Sequence, residues 1–119
     1  MADIELWSEE AEQAVLGAML LDPDAVTASS VVIGEEDFYR PAHRYLFRAM
    51  HRLFVRGEPI DPVTLRDQLE NDGTLQEAGG MEYIGALIDV VPDARSVAHH
   101  ARIVAKKARP RRSKGPNIL

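Results

Sequence analysis

Four histidines, a cluster of acids and a run of arginines are the residues of this chain whose types could do chemistry. His43, His51, His99 and His100 are its imidazoles, and there is no cysteine to make a thiolate metal site or a nucleophile. Their spacing argues against a metal. His43 and His51 stand eight residues apart, so not on adjacent helical turns. His99 and His100 project about 100° apart on a helix and cannot chelate one ion together. His43 falls on an apolar helix face and reads as a hydrogen-bonded, buried or half-buried side chain. Glu9, Glu10 and Glu12 could suggest carboxylate work, but acids at a helix N-terminus are accounted for by its dipole. No Ser/His/acid set is placed by spacing, so no catalytic, cofactor-binding or metal-binding residue is expected.

Nucleotide chemistry is missing as well. No stretch matches G-x-x-x-x-G-K-[ST], whose backbone N–H groups cradle phosphates. The pair Gly79-Gly80 is followed by Met81, not lysine, and reads as a helix-breaking connector. Arg40, Arg44, Arg48, Arg52 and Arg56 recur every four residues. On a helical wheel they span roughly 120° to 280°, opposite an apolar arc. That is the pattern of a phosphate-binding ladder, and equally of a solvated face neutralised by acidic surroundings. The second reading is preferred, with Arg44, Arg48, Arg52 and Tyr45 as the candidate protein interface.

The charge is unevenly spread. Residues 1–105 carry all 19 acids and 8 arginines. Beyond them come Lys106, Lys107, Arg109, Arg111, Arg112 and Lys114, with no acid. An acidic body repels phosphate at long range, so these six are the candidates for non-specific nucleic-acid contact.

Helices must position these groups, because apolar residues recur at three- and four-residue spacing. Ser8 caps a first helix, with Ala11, Val15, Ala18 and Met19 on one face. Asp22-Pro23 opens a second, to about Ser30. Val31-Val32-Ile33 is ambiguous, since three β-branched residues weaken a helix. Arg40-Pro41 starts the clearest helix, ended by Gly57, with Tyr39, His43, Leu46, Phe47, Ala49, Met50, Leu53 and Phe54 in one arc. Asp61-Pro62 opens another, ending near Gly73. Thr74 begins a single turn. Met81, Ile84, Leu87, Ile88 and Val91 form the next stripe, up to Pro92. Asp93 caps a last helix with Val97, Ala101, Val104 and Ala108 along one seam, and Pro110 is expected to end it. The expected core is Phe38, Leu46, Met50, Leu53, Phe54, Leu65, Leu69, Ile84, Leu87 and Ile88. The fold class is all-α, a compact orthogonal bundle of about six helices. Residues 1–7 read as a flexible N-terminus, 8–108 as the domain and 109–119 as a basic, disordered tail. With 45% hydrophobic residues, no span-length apolar run and an acidic start, the expected location is the cytoplasm.

Several strings share one further property. Ala11-Glu12-Gln13-Ala14-Val15-Leu16-Gly17-Ala18-Met19-Leu20 resembles the opening helix of the N-terminal domain of bacterial replicative DNA helicases, the DnaB family. Asp37-Phe38-Tyr39-Arg40-Pro41-Ala42-His43-Arg44 is similar to that family's most distinctive string. Arg56-Gly57-Glu58-Pro59-Ile60-Asp61 with Val63-Thr64-Leu65, then Gly79-Gly80 with Tyr83 and Ile84, Val91-Pro92 and Ala101-Arg102-Ile103-Val104, follow in order. The resemblance covers about residues 8 to 108.

It implies an all-helical assembly domain acting in DNA replication. In the family this domain joins an ATP-hydrolysing motor of RecA type, forms the collar of a hexamer and docks primase. ATP and Mg belong to that motor, so no cofactor is expected in this chain. The implied partners are other helicase subunits and primase. DNA would be touched only weakly, through the basic tail, and no membrane contact is implied. After Lys107 the resemblance stops, where the family continues through a helical hairpin that pairs domains and offers the primase contact. Weak self-association is therefore expected. The competing reading, from a different class, is a small accessory nucleic-acid-binding protein that uses the tail.

Overall fold

A computed structural model describes residues 6–90 and 93–113. Helix α1 (Glu9–Leu21) starts where Ser8 Oγ accepts the Ala11 N–H, with three glutamates on its positive end. Helix α2 (Pro23–Ser30) starts on Asp22, whose carboxylate accepts the Asp24 N–H. Residues 31–34 form a turn, and no strand occurs among the described residues. A short 3-10 turn, Glu35–Asp37, leads to helix α3 (Pro41–Val55). Helix α4 (Pro62–Asp72) opens on a reciprocal cap: Asp61 accepts from Val63 and Thr64, and the Thr64 hydroxyl accepts the Asp61 N–H. Gly73, at φ +74°, ends it in the left-handed region. One turn from Thr74 leads into helix α5 (Gly80–Asp89). Asp93 caps a second 3-10 turn, Ala94–Ser96, and helix α6 (Val97–Ser113) follows.

α1 lies at the centre and packs against α2, α3, α5 and α6. Nine of its 13 residues are buried, so it is apolar nearly all round rather than on one face. Val15, Leu16 and Met19, absent from the expected core, are among the most buried side chains. The α6 seam of Val97, Ala101, Val104 and Ala108 is buried as read from the sequence.

Eight of the ten expected core residues are buried, and two are corrected. Ile88 is only partly buried against the core. Phe54 is 38% exposed, because residues 54–58, where α3 ends, are exposed throughout. Tyr39 also leaves the apolar arc, at 45% exposed, since it lies ahead of α3, which starts at Pro41, and obeys no helical wheel. The fourth correction concerns the end of the domain. α6 does not stop at Pro110 but runs through it to Ser113, so residues 109–113 are helix and not tail. The rest of the expected tail, 114–119, and the Val91-Pro92 pair lie outside the described residues.

Candidate functional site

The one acid in the buried stripe of α1 is Glu12, which lies in register with Val15, Leu16 and Met19. It is 1% exposed and faces His43, which is fully buried in the first turn of α3. His43 Nδ1 lies 2.6 Å from Glu12 Oε1, and His43 Nε2 lies 2.6 Å from the Tyr83 hydroxyl on α5. Glu12 also accepts the N–H groups of Tyr39 at 2.7 Å and Arg40 at 3.5 Å. Tyr83 accepts from Gln13 Nε2 at 3.1 Å. One proton arrangement satisfies all of these groups. His43 donates through Nδ1 to the carboxylate and accepts through Nε2 from the tyrosine. The network ties α1, α3 and α5 together and holds the backbone just ahead of α3. Glu12 and His43 are buried, whereas Tyr83 and Gln13 are half-buried.

The segment held this way is the string 37–40. Glu12 takes its amides, while two arginines take its carbonyls. Arg44 Nε donates to Phe38 O at 2.7 Å, and Arg111 Nη2 donates to Asp37 O at 2.6 Å. Asp37 Oδ2 in turn accepts the Gly34 N–H at 2.9 Å. The Tyr39 ring stacks on Trp7 with centroids 4.6 Å apart, and the Arg111 guanidinium sits 5.5 Å from the Tyr39 centroid.

The arginine ladder is used internally. Arg40 pairs with Glu9 at 2.8 Å, Arg52 with Asp72 at 2.9 Å and Arg56 with Glu58 at 3.1 Å. Arg48 grips both oxygens of Glu35, at 2.8 and 3.0 Å. That hydrogen bond, with the charges of Arg48, Arg52 and Arg44, holds the Glu35 carboxyl below its usual value against the opposing effect of burial. Tyr45 is half-buried, with the Arg48 guanidinium 5.4 Å from its ring centre. The candidate interface residues Arg44, Arg48, Arg52 and Tyr45 thus share one face of α3, with the three guanidinium groups engaged by the chain itself.

The basic group is divided by the fold. Lys106 and Arg109 are exposed on α6 and Lys107 is half-buried, whereas Arg111 turns inward. Arg112 falls in the last turn of α6, and Lys114 lies outside the described residues. Among the described residues no group of three or more His, Asp and Glu could hold a metal ion. No helix is long and apolar enough to cross a membrane. An apolar groove of about 490 Å³ runs between α1 and α6, floored by Ala11, Ala14, Val90 and Ile103 and edged by Glu10 and His100.

The sequence reading placed His43 as a buried, hydrogen-bonded side chain, but it assigned Glu12 to the helix dipole and Arg111 to nucleic-acid contact, and gave Tyr83 and Glu35 no role. Only Glu12 left a signal, as a lone acid on an apolar stripe. The partners of the others lie 13 to 105 residues away in the chain, beyond the reach of a local pattern.

Known proteins resemble this chain in sequence and fold. The model of the DnaB-like helicase N-terminal domain matches residues 4–106. The chain is 48% identical over 111 residues to the replicative DNA helicase DnaB of Geobacillus stearothermophilus, covering 87% of this chain and 24% of that protein. It is 45% identical over 99 residues to the replicative DNA helicase DnaC of Bacillus subtilis, covering 83% of this chain and 22% of that one. The chain therefore spans about a quarter of the length of these relatives. Among solved structures, the N-terminal domain of DnaB helicase from Mycobacterium tuberculosis superposes with a TM-score of 0.88 at 42% identity, covering 92% of this chain and 79% of that one. A DnaB-like replicative helicase, described with its interactions with primase, shares the fold at a TM-score of 0.78 and 24% identity, over 90% of this chain and 25% of that one. With the motifs, the helix order and the family match in agreement over most of its length, the chain belongs to the DnaB-like helicase N-terminal domain family.

Proposed function

We propose that this chain is a protein–protein assembly module of a replicative DNA helicase, contributing to the collar of the hexamer and to the docking of primase. The observation that carries the reading is its likeness, over 92% of its length, to a DnaB N-terminal domain studied apart from its motor. The relative described with primase supports the choice of partner. The surface agrees with such a role. Arg48 and Arg52 on α3 pair with acids of this same chain at a partly exposed surface, which is compatible with a protein-docking face. ATP hydrolysis and unwinding would belong to the motor domain of the parent protein, with ATP and Mg bound there. The proposed location, with the replication machinery, is the cytoplasm.

Sedimentation velocity of the chain alone, with a full-length replicative helicase and with a bacterial primase tests this. Co-sedimentation with helicase subunits or primase is expected, and self-association of the chain alone should be weak. Failure to associate with either partner at tens of micromolar refutes the proposal.

The charge split favours one alternative, an accessory protein touching nucleic acid through Lys106, Lys107, Arg109 and their basic neighbours. Such contact would be non-specific and would weaken steeply with salt. Replacing Lys106, Lys107 and Arg109 by Gln leaves the buried Ala108 and Arg111 in place. Salt-sensitive DNA binding that vanishes in this variant would favour the alternative.

A further inference from the structure

We infer that Arg111 is a clasp that keeps helix α6 continuous past Pro110 and so sets the line along which the chain leaves the domain. The last turn of α6 is unfavourable on local grounds. Pro110 has no N–H to offer the Lys106 carbonyl, its ring crowds the preceding turn, and it disfavours helical backbone at Arg109. The turn nevertheless forms. Ala108, fully buried, anchors the helix on one side of the proline, and Arg111 anchors it on the other.

The guanidinium of Arg111 joins three parts of the chain that are far apart in sequence. Nη1 donates to Leu6 O, ahead of α1, and Nη2 to Asp37 O at 2.6 Å, in the connector before α3. Its face lies by the Tyr39 ring, which stacks on Trp7. A planar fork with donors on separate nitrogens spans two separate carbonyls better than the compact point charge of a lysine ammonium. Burial disfavours the charged guanidinium, as does the nearby Arg44, while Glu12 and Asp37 compensate. A guanidinium held there against desolvation is a structural tie rather than a free surface charge.

The clasp rests on geometry alone. Its consequence for assembly, that Arg111 orients whatever follows α6 relative to the collar, rests on the proposed function. The test therefore needs no partner. Amide hydrogen exchange of residues 105–113 and the fluorescence of Trp7, the single tryptophan, are compared in the full chain and in Arg111→Met and Arg111→Lys. Exchange in these residues should rise about tenfold or more in Arg111→Met and by an intermediate factor in Arg111→Lys. Trp7 emission should shift in the same order, with helical circular dichroism retained. If Arg111→Met does not fold, Arg111→Lys against the parent decides. Unchanged exchange and emission in the folded variants would overturn the clasp, whatever the outcome with primase or helicase subunits.

Discussion

At the scale of single residues, Glu12 matters most because it answers several needs at once. It accepts from His43 and from two backbone amides while itself 1% exposed. Glu12→Ala would strand those donors in the interior and is expected to cost about 3–5 kcal/mol in urea denaturation. A loss below about 1 kcal/mol would show that the amides find water instead. Glu35 makes a smaller, pH-dependent contribution. Arg48 lowers its folded-state pKa, so the pair stabilises the fold above the usual glutamate value of 4.5 and loses that effect as pH falls through the lowered one. Both partners are at least a third exposed, so about 1 kcal/mol is the ceiling. Arg48→Met should flatten the stability–pH curve in the acid range. A curve unchanged in slope would mean that solvent screens the pair fully.

Element ends carry the next set of consequences. Gly73 and Gly79 both have positive φ, but only one is crowded. A Cβ on Gly73 meets nothing within 4 Å, so Gly73→Ala carries mainly backbone strain of about 1–2 kcal/mol. At Gly79, with φ +102°, a Cβ would lie 2.7 Å from the Cβ of Tyr83, whose hydroxyl serves His43. Gly79→Ala should cost about 1–3 kcal/mol more than Gly73→Ala, because α5 must shift. Equal losses for the two would mean that Tyr83 yields freely. On α3, neighbours at its end should part company. Leu53→Ala, at a 2% exposed position, is expected to cost about 2–5 kcal/mol. Phe54→Ala, at 38% exposure, should cost clearly less. Thermal melts of the two variants check the order, and the reverse order would place Phe54 in the core after all.

For the molecule as a whole, function follows from what the surface presents. The body is acidic, Arg48 and Arg52 on α3 pair with its own acids, and Lys106, Lys107, Arg109, Arg111 and Arg112 gather on α6. Purified chain is expected to hydrolyse no ATP, with or without single-stranded DNA, because its sequence has no phosphate-cradling loop. Turnover that co-purifies with the chain through successive columns would contradict that expectation.

Much of this was legible in the sequence. Proline at the first position of α2, α3 and α4, glycines at the ends of α3 and α4, and the apolar periodicity fixed the elements, because caps and helical faces depend on neighbours within four residues. The family strings placed those elements in a known fold. The pairings were decided only by tertiary structure. Nothing local says that Glu12 meets His43 or that His43 meets Tyr83. Nor does the sequence say that Arg48 closes on Glu35. Phe54 looked like core and is half out, because a helical wheel shows direction but not where neighbouring helices stop. Pro110 looked like a terminus and is not one. The local cost of proline is offset by Ala108 in the core and by Arg111 reaching carbonyls 74 and 105 residues away in the chain.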